Sequence, residues 1–330
     1  MLESIESATT SIYLEMYIFH DDTDSTHDFV GAFERKARSG VEVVLVLDAV
    51  GSIALPRATV ERLRTAGVEV RFFRGVFHRM HRKLLIVDGT VAFVGGVNIA
   101  EAFREWFDLH VRLEGSIVRS LLASFVKAYR FAGGERRLRV PAVIAKRRRR
   151  KVTTWMLEHI PFARRMSLRR YYTRKIDAAR VSVDLVTPYF VPDRWLERVI
   201  ADAVRRNVRV RVLIPYRSNH RFLNVANAHY ASRAVANGVE VRLVGGMNHA
   251  KAMVIDDYEA MVGSGNLDTL SFERNGELGV FMVERTAVLA IREVLNEWFS
   301  KSIPFHTLEH GLSWYGKLLV PFVRVFSGML

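Results

Sequence analysis

One motif occurs twice in this chain, and the interval between its copies fixes how the whole sequence is organised. His81-Arg82-Lys83-Leu84-Leu85-Ile86-Val87-Asp88 and His249-Ala250-Lys251-Ala252-Met253-Val254-Ile255-Asp256 both read H-x-K-x-x-x-x-D. The likeness runs on downstream. Gly95 and Asn98 follow His81 at the same intervals at which Gly263 and Asn266 follow His249, and Asp108-Leu109-His110-Val111 parallels Glu277-Leu278-Gly279-Val280. Upstream, Met16-Tyr17-Ile18-Phe19 parallels Pro188-Tyr189-Phe190-Val191. A repeat that spans most of each half means that each copy is a structural unit with its own core. The boundaries read as a first lobe over 1–135, an unlike segment over 136–174, a second lobe over 175–305 and a terminal segment over 306–330.

Within each half, short β-branched apolar runs alternate with helical patterns, the signature of an α/β sheet flanked by helices. Strands are expected at 41–47, 68–73, 83–87 and 91–94, with counterparts at 208–214, 239–244, 251–255 and 260–262. Helices are expected at 29–39 and 193–206. The uninterrupted apolar strands imply sheets buried on both faces.

The motif carries chemistry. If His and Lys two apart lie on a strand, their side chains point the same way and set an imidazole beside an ammonium. Asp88 and Asp256, an odd number of positions further on, face elsewhere on that argument and serve structure or imidazole orientation. Asn98 and Asn266 can donate an amide hydrogen bond to a phosphoryl oxygen. Two such sets allow in-line displacement at phosphorus. One imidazole attacks to give a phosphohistidine, while the other protonates the leaving alkoxide and then deprotonates the incoming hydroxyl. Lys83 and Lys251 stabilise charge on the equatorial oxygens. Asp108 and Glu277, at nearly matching intervals after His81 and His249, are candidates for fixing the far ring nitrogens. Such a site needs no metal and no cofactor. A single H-x-K-x-x-x-x-D arises by chance in roughly a few per cent of chains this long, so the weight rests on the duplication.

With these residues in place, the sequence resembles the phospholipase D superfamily with its paired H-K-D motifs. Within it, Tyr17-Ile18-Phe19, the run from Gly40-Val41-Glu42-Val43 to Asp48-Ala49-Val50-Gly51-Ser52, Pro188-Tyr189-Phe190-Val191-Pro192-Asp193, and Gly265-Asn266-Leu267-Asp268 with Ser271-Phe272 resemble bacterial cardiolipin synthases. The resemblance implies two similar α/β lobes, each a mixed sheet flanked by helices, about a pseudo-twofold axis with the site where they meet. It implies His81, Lys83, Asp88, His249, Lys251 and Asp256 as the catalytic set, with His81 the favoured nucleophile. It further implies transfer of a phosphatidyl group from phosphatidylglycerol to a second lipid hydroxyl, releasing glycerol. Phosphatidylglycerol or phosphatidylethanolamine would supply that hydroxyl. The longer synthases carry amino-terminal membrane spans that this sequence lacks, so it looks more like the shorter, peripheral members.

Charge decides which surfaces attract the chain. A formal net charge of +14 predicts binding to polyanions. Between 136 and 175, cations outnumber the lone acid Glu158, and they include Arg147, Arg148, Arg149 and Arg150 interleaved with apolar residues such as Trp155. That mixture fits an anionic phospholipid interface better than a nucleic-acid groove, where polar and base-stacking side chains would be expected. The segment 306–330 adds an apolar stripe at helical spacing. No run of about 18 uncharged apolar residues occurs, so the expected contact is peripheral, at the cytoplasmic face of a bacterial inner membrane. The absence of cysteine excludes disulfides and thiol chemistry. Competing readings are a hydrolytic phospholipase D, which shares the first half-reaction, a nuclease of the same superfamily, and a non-catalytic lipid-binding scaffold.

Overall fold

A computed structural model describes residues 1–21, 27–75, 77–139, 152–161 and 167–305. The chain divides into two units, Met1–Arg104 with His110–Met156, and Glu105–Leu109 with Leu157–Leu330. The expected cations Arg147, Arg148, Arg149 and Arg150 and the segment 306–330 lie outside the described residues.

The first unit runs α1 (Leu2–Glu6), β1 (Ser11–Met16), α2 (Phe29–Arg38), β2 (Glu42–Asp48), α3 (Arg57–Thr65), β3 (Glu69–Phe73), β4 (Leu84–Val87), β5 (Val91–Gly95), β6 (His110–Glu114) and α4 (Ser116–Phe131). Its six-stranded sheet has the order β3-β2-β1-β4-β5-β6. The β1–β2 and β2–β3 pairs are parallel, while β4 turns antiparallel to β1. All six residues of β1 are buried, and the strand period sorts them between two faces. Ile12, Leu14 and Met16 join Val30 and Phe33 of α2 and Leu63 of α3 in one core. On the other face Tyr13 stacks on Phe125 of α4 at 5.2 Å, and fully buried Glu15 pairs with fully buried Arg82 at 3.1 Å. Arg82 in turn donates to Ser124 of α4. The sheet is thus covered on both sides, as its near-continuous apolar strands require.

The second unit takes in the end of β7 (Thr154–His159), which begins in the first, and holds α5 (Leu168–Ala178), β8 (Ser182–Val186), β9 (Phe190–Val191), α6 (Arg194–Arg205), β10 (Arg209–Pro215), α7 (Arg221–Ala236) and β11 (Glu240–Val244). It continues with β12 (Ala252–Ile255), β13 (Glu259–Gly263), β14 (Leu267–Asp268), α8 (Thr269–Glu273), β15 (Glu277–Met282), α9 (Arg285–Ser300) and β16 (Ser302–Pro304). The eight-stranded sheet reads β16-β11-β10-β8-β12-β13-β15-β7. Its inner six strands repeat the order and the parallel-to-antiparallel switch of the first sheet. The duplication in sequence is therefore a duplication of topology, and the fold is α/β with two mixed sheets flanked by helices. Strand β7 and helix α5 fall largely inside the stretch 136–174, which the sequence marks as an insert. Trp155, expected at a membrane, is a half-buried residue of β7.

The motif aspartates hold the start of the central strand in each sheet. Asp88 takes a left-handed backbone (φ 51°) in the turn after β4. Its carboxylate accepts from the amides of Thr9, Thr10 and Ser11 at 2.8–3.2 Å and from the hydroxyls of Thr9 and Thr10 at 2.9 Å. Asp256 (φ 50°) does the same at β8, accepting from Arg180, Val181 and Ser182 at 2.8 Å. Through these contacts both aspartates act on the backbone, as positioning residues for the start of the central strand. Partial burial works against Asp88 ionising, but its amide and hydroxyl donors outweigh that and hold its carboxyl at about 2. Because the folded value lies below the ordinary one, its stabilisation is present above about pH 4 and is lost as pH falls toward 2. Asp88→Asn should cost about 1 kcal/mol near neutrality, after allowing for solvent screening of this half-exposed group. Urea unfolding at pH 7 and pH 3 should show the gap between wild type and variant narrowing at the lower pH.

Candidate active site

In both units the motif histidine and lysine precede the strand. Residues 81–83 are extended chain leading into β4, and 249–251 lead into β12. The expected alternation on a strand is thus replaced by a different contact. Lys83 Nζ donates back to the carbonyl of His81 at 2.7 Å, and Lys251 Nζ donates to the carbonyl of His249. Both lysines are buried, so their charge is held next to the histidine backbone in a medium that screens it weakly.

Around His81 the first unit builds a fixed wall. The Tyr17 ring meets the imidazole edge-on at 4.6 Å, and Lys83 Nζ lies 5.0 Å from the Tyr17 centroid. Tyr17 is itself pinned, since Ser52 Oγ donates to its carbonyl at 2.9 Å and accepts from Phe19 N at 3.1 Å. Gly51 packs so closely that a Cβ there would stand 2.3 Å from the Tyr17 carbonyl oxygen. Buried Asp48 accepts from Val50 and Gly51 through one oxygen and from Met80, the residue before His81, through the other. Asn98 accepts from Ile18 N at 3.3 Å through its side-chain oxygen, which leaves its NH2 group as the end that can donate.

In the second unit His249 is oriented by a carboxylate. Its Nδ1 lies 2.8 Å from Asp108 Oδ2. The contact depends on a short ladder: Phe107 N donates to Met247 O at 2.9 Å, and His249 N donates to Phe107 O at 2.7 Å. Trp106 adds a ring 5.5 Å from the imidazole. Burial alone would push Asp108 upward, but the His249 ring, the Lys251 ammonium and the Leu109 amide together hold its carboxyl below the ordinary value. An ionised Asp108 accepts a hydrogen bond from Nδ1–H, which leaves the Nε2 lone pair of the neutral ring as the basic position. This corrects the expected pairing, in which Asp108 belonged to His81, the motif histidine that precedes it in sequence.

Glu277 accepts from Ser264 and Ser271, and Ser271 Oγ accepts from Asn266 N at 3.0 Å. Glu277 therefore shapes the loop that carries Asn266. Beside it, burial pushes the Asp268 carboxyl up to about 6, with the Glu277 charge adding to the shift against donation from Ser271. His159 on β7 closes this cluster. Its Nδ1 accepts from Ser167 N and Leu168 N, its Nε2 donates to Phe272 O, and burial holds its pKa down.

Sequence reasoning alone does not single out Tyr17, Asp48, Trp106 or Ser271 as site residues. The repeat of Tyr17 at Tyr189 is the visible signal for the first. The run Asp48-Ala49-Val50-Gly51-Ser52 carries the second without saying what the aspartate binds.

With this geometry established, comparison with known proteins places the chain. The family described as "Cardiolipin synthase, PLD-like domain" matches residues 1–126 and 172–302. The chain belongs to this phospholipase D-type family. Its similar relatives include cardiolipin synthase A of Pseudomonas putida (strain GB-1), 33% identical over 318 residues, which covers 91% of this chain and 65% of that protein. Cardiolipin synthase A of Pseudomonas fluorescens (strain SBW25) is 31% identical, with 91% and 66% covered. The chain thus spans about two thirds of the length of these relatives. Among solved structures, the fold is shared with phosphatidylserine synthase of Haemophilus influenzae Rd KW20, at a TM-score of 0.73 and 14% identity over 99% of this chain and 91% of that one.

The Asp108–His249 contact is directly testable by nitrogen NMR of the imidazole. Wild type should show the neutral His249 ring protonated at Nδ1. Asp108→Asn offers an amide that can donate to Nδ1, so the ring should move toward the Nε2–H tautomer. An unchanged tautomer in the variant would mean that Asp108 does not set it.

Proposed function

We propose that this chain is a phosphatidyltransferase that makes cardiolipin from phosphatidylglycerol through a phosphohistidine. The observation that carries this reading is that each unit bears its own buried histidine and lysine ahead of an equivalent strand, with Asp108 behind His249. The family membership supports the substrate class.

In the first half-reaction the His81 imidazole attacks phosphorus and the P–O bond to the head-group glycerol breaks. His249 gives its proton to the departing alkoxide, so free glycerol leaves and a phosphatidyl-histidine remains. In the second, neutral His249 removes the proton of an incoming lipid hydroxyl, whose oxygen attacks phosphorus and displaces His81. With phosphatidylglycerol as acceptor the product is cardiolipin. Asp108 supports giving His249 the acid/base role, because a carboxylate at Nδ1 stabilises the imidazolium that forms when the ring takes a proton. Lys83, Lys251, Asn98 and Asn266 would neutralise charge on the non-bridging oxygens. Arg147, Arg148, Arg149 and Arg150 would add anionic-lipid attraction worth roughly 1 kcal/mol each near a surface. On this reading the protein works peripherally at the cytoplasmic face of the inner membrane, drawn there by its basic surface; no helix among the described residues is long and apolar enough to cross a membrane.

Purified protein supplied with phosphatidylglycerol vesicles should yield cardiolipin and glycerol in equal amounts. Dominant phosphatidic acid would replace the transferase reading with a hydrolase. His81→Ala and His249→Ala should each lower turnover by about 10³-fold or more, because nucleophile and acid/base act as one unit. Circular dichroism should show both variants folded. A denaturing quench at alkaline pH, where the P–N bond survives, should trap the labelled phosphatidyl group on His81 in wild type, and a label on His249 would reverse the two roles.

A further inference from the structure

Two loops of the first unit carry an apolar, cationic rim beside His81. The first follows β2 and exposes Val50 (42%) and Ile53 (81%); the second follows β3 and exposes Phe77 (73%). Single exposed apolar residues are ordinary on protein surfaces. These three differ because the chain holds them together. Strands β2 and β3 are adjacent and parallel, with Asp48 opposite Phe73, so the two loops leave the same end of the sheet. Ala49 N donates to Phe73 O at 3.0 Å where they leave. One buried carboxylate, Asp48, then accepts from Val50 and Gly51 in the first loop and from Met80 at the close of the second.

The second loop is also stapled internally. Arg79 donates to the carbonyls of Gly75 at 3.0 Å and His78 at 3.2 Å. A Cβ on Gly75 would meet the His78 carbonyl oxygen at 2.4 Å, so the turn depends on that glycine. Neither loop carries an acidic residue: 49–57 and 73–80 contain Arg57, Arg74 and Arg79 but no Asp or Glu. A stiff edge with three projecting apolar side chains and only positive charge is complementary to an anionic bilayer, where the side chains enter the acyl boundary and the guanidiniums stay among phosphates.

We infer that the rim formed by Val50, Ile53, Phe77 and Arg74 is a membrane-docking edge that inserts shallowly into anionic phospholipid bilayers. This rests on the proposed lipid activity and adds to it where the membrane would lie. The rim connects to the chemistry through short contacts, since Gly51 packs on Tyr17, Tyr17 packs on His81, and Asp48 holds the residue before His81. Lipid headgroups at the rim would therefore reach the histidine without leaving the interface, which raises their effective concentration over water.

The chain contains no cysteine, so single labels are clean. Ile53→Cys and Phe77→Cys would each carry an environment-sensitive nitrobenzoxadiazole. Ser39→Cys, at the opposite end of β2, serves as control. On vesicles of equal phosphatidylglycerol and phosphatidylcholine, the labels at 53 and 77 should brighten roughly twofold or more and be quenched by nitroxide-labelled acyl chains, while the label at 39 stays unchanged. The double variant Ile53→Ser with Phe77→Ser should lose about tenfold or more in vesicle partitioning. Its turnover of detergent-dispersed phosphatidylglycerol should stay at the wild-type level. Vesicle binding with silent labels at 53 and 77 would overturn the rim and move docking elsewhere, and so would a chain that fails to bind the vesicles at all. Labels that report insertion in a protein inactive on dispersed phosphatidylglycerol would uphold the rim and sink the functional reading instead.

Discussion

The short strand inside the motif is the constraint on which the rest of each unit depends. In H-x-K-x-x-x-x-D the intervening positions are β4 or β12, which pairs antiparallel with the central strand β1 or β8. The aspartate at one end clamps the start of that central strand through three backbone amides. The histidine and lysine emerge at the other end, roughly 20 Å away for an extended chain of this length. The spacing of the motif is thus the length of the sheet at its centre, and the acid acts far from the histidine and lysine. A left-handed backbone at Asp88 and Asp256 lets one residue both turn the chain and deliver its carboxylate to the neighbouring strand.

The duplication also shows what this arrangement tolerates. In the first unit Glu15 of β1 and Arg82 of the motif form a buried ion pair that Ser124 completes. The corresponding positions in the second unit are Val186 and Ala250, both buried and apolar. A buried pair and its apolar replacement can be nearly equal in free energy, because desolvation of two charges offsets much of their attraction. Losing only one partner would strand a charge in the core. The two halves have therefore diverged at these positions together, while Lys83 and Lys251, held by their own histidine carbonyls, have stayed the same.

Much of the fold is legible in the sequence. Apolar runs place β2, β3, β5, β10, β11 and β13 within a residue of their ends, because buried strands leave an unbroken β-branched signature. The lysines are where that signature misleads, since a strand pattern does not show that the first pairing residue is Leu84 or Ala252 rather than Lys83 or Lys251. The partners of Asp108 and Glu277 are not legible at all. Sequence spacing assigns each acid to the nearest preceding motif histidine. A short backbone ladder, Phe107 against Met247 and His249, instead carries Asp108 into the second unit, and nothing in the composition of Trp106-Phe107-Asp108 marks that crossing.

Asp48 shows how one buried carboxylate can serve both position and surface. Burial pushes its carboxyl up, and the amides of Gly51, Met80 and Val50 with nearby Arg79 work against that shift. A charge buried at this depth persists only when its lone pairs are filled, and here they are filled by the two loops that flank His81. Removing any one donor would leave the carboxylate short of a partner and would loosen a loop that the others still hold. The position of the histidine, the packing of Gly51 on Tyr17 and the projection of Ile53 and Phe77 are therefore one coupled feature. The same backbone amides that satisfy Asp48 set how far the apolar tips stand out from the edge of the sheet.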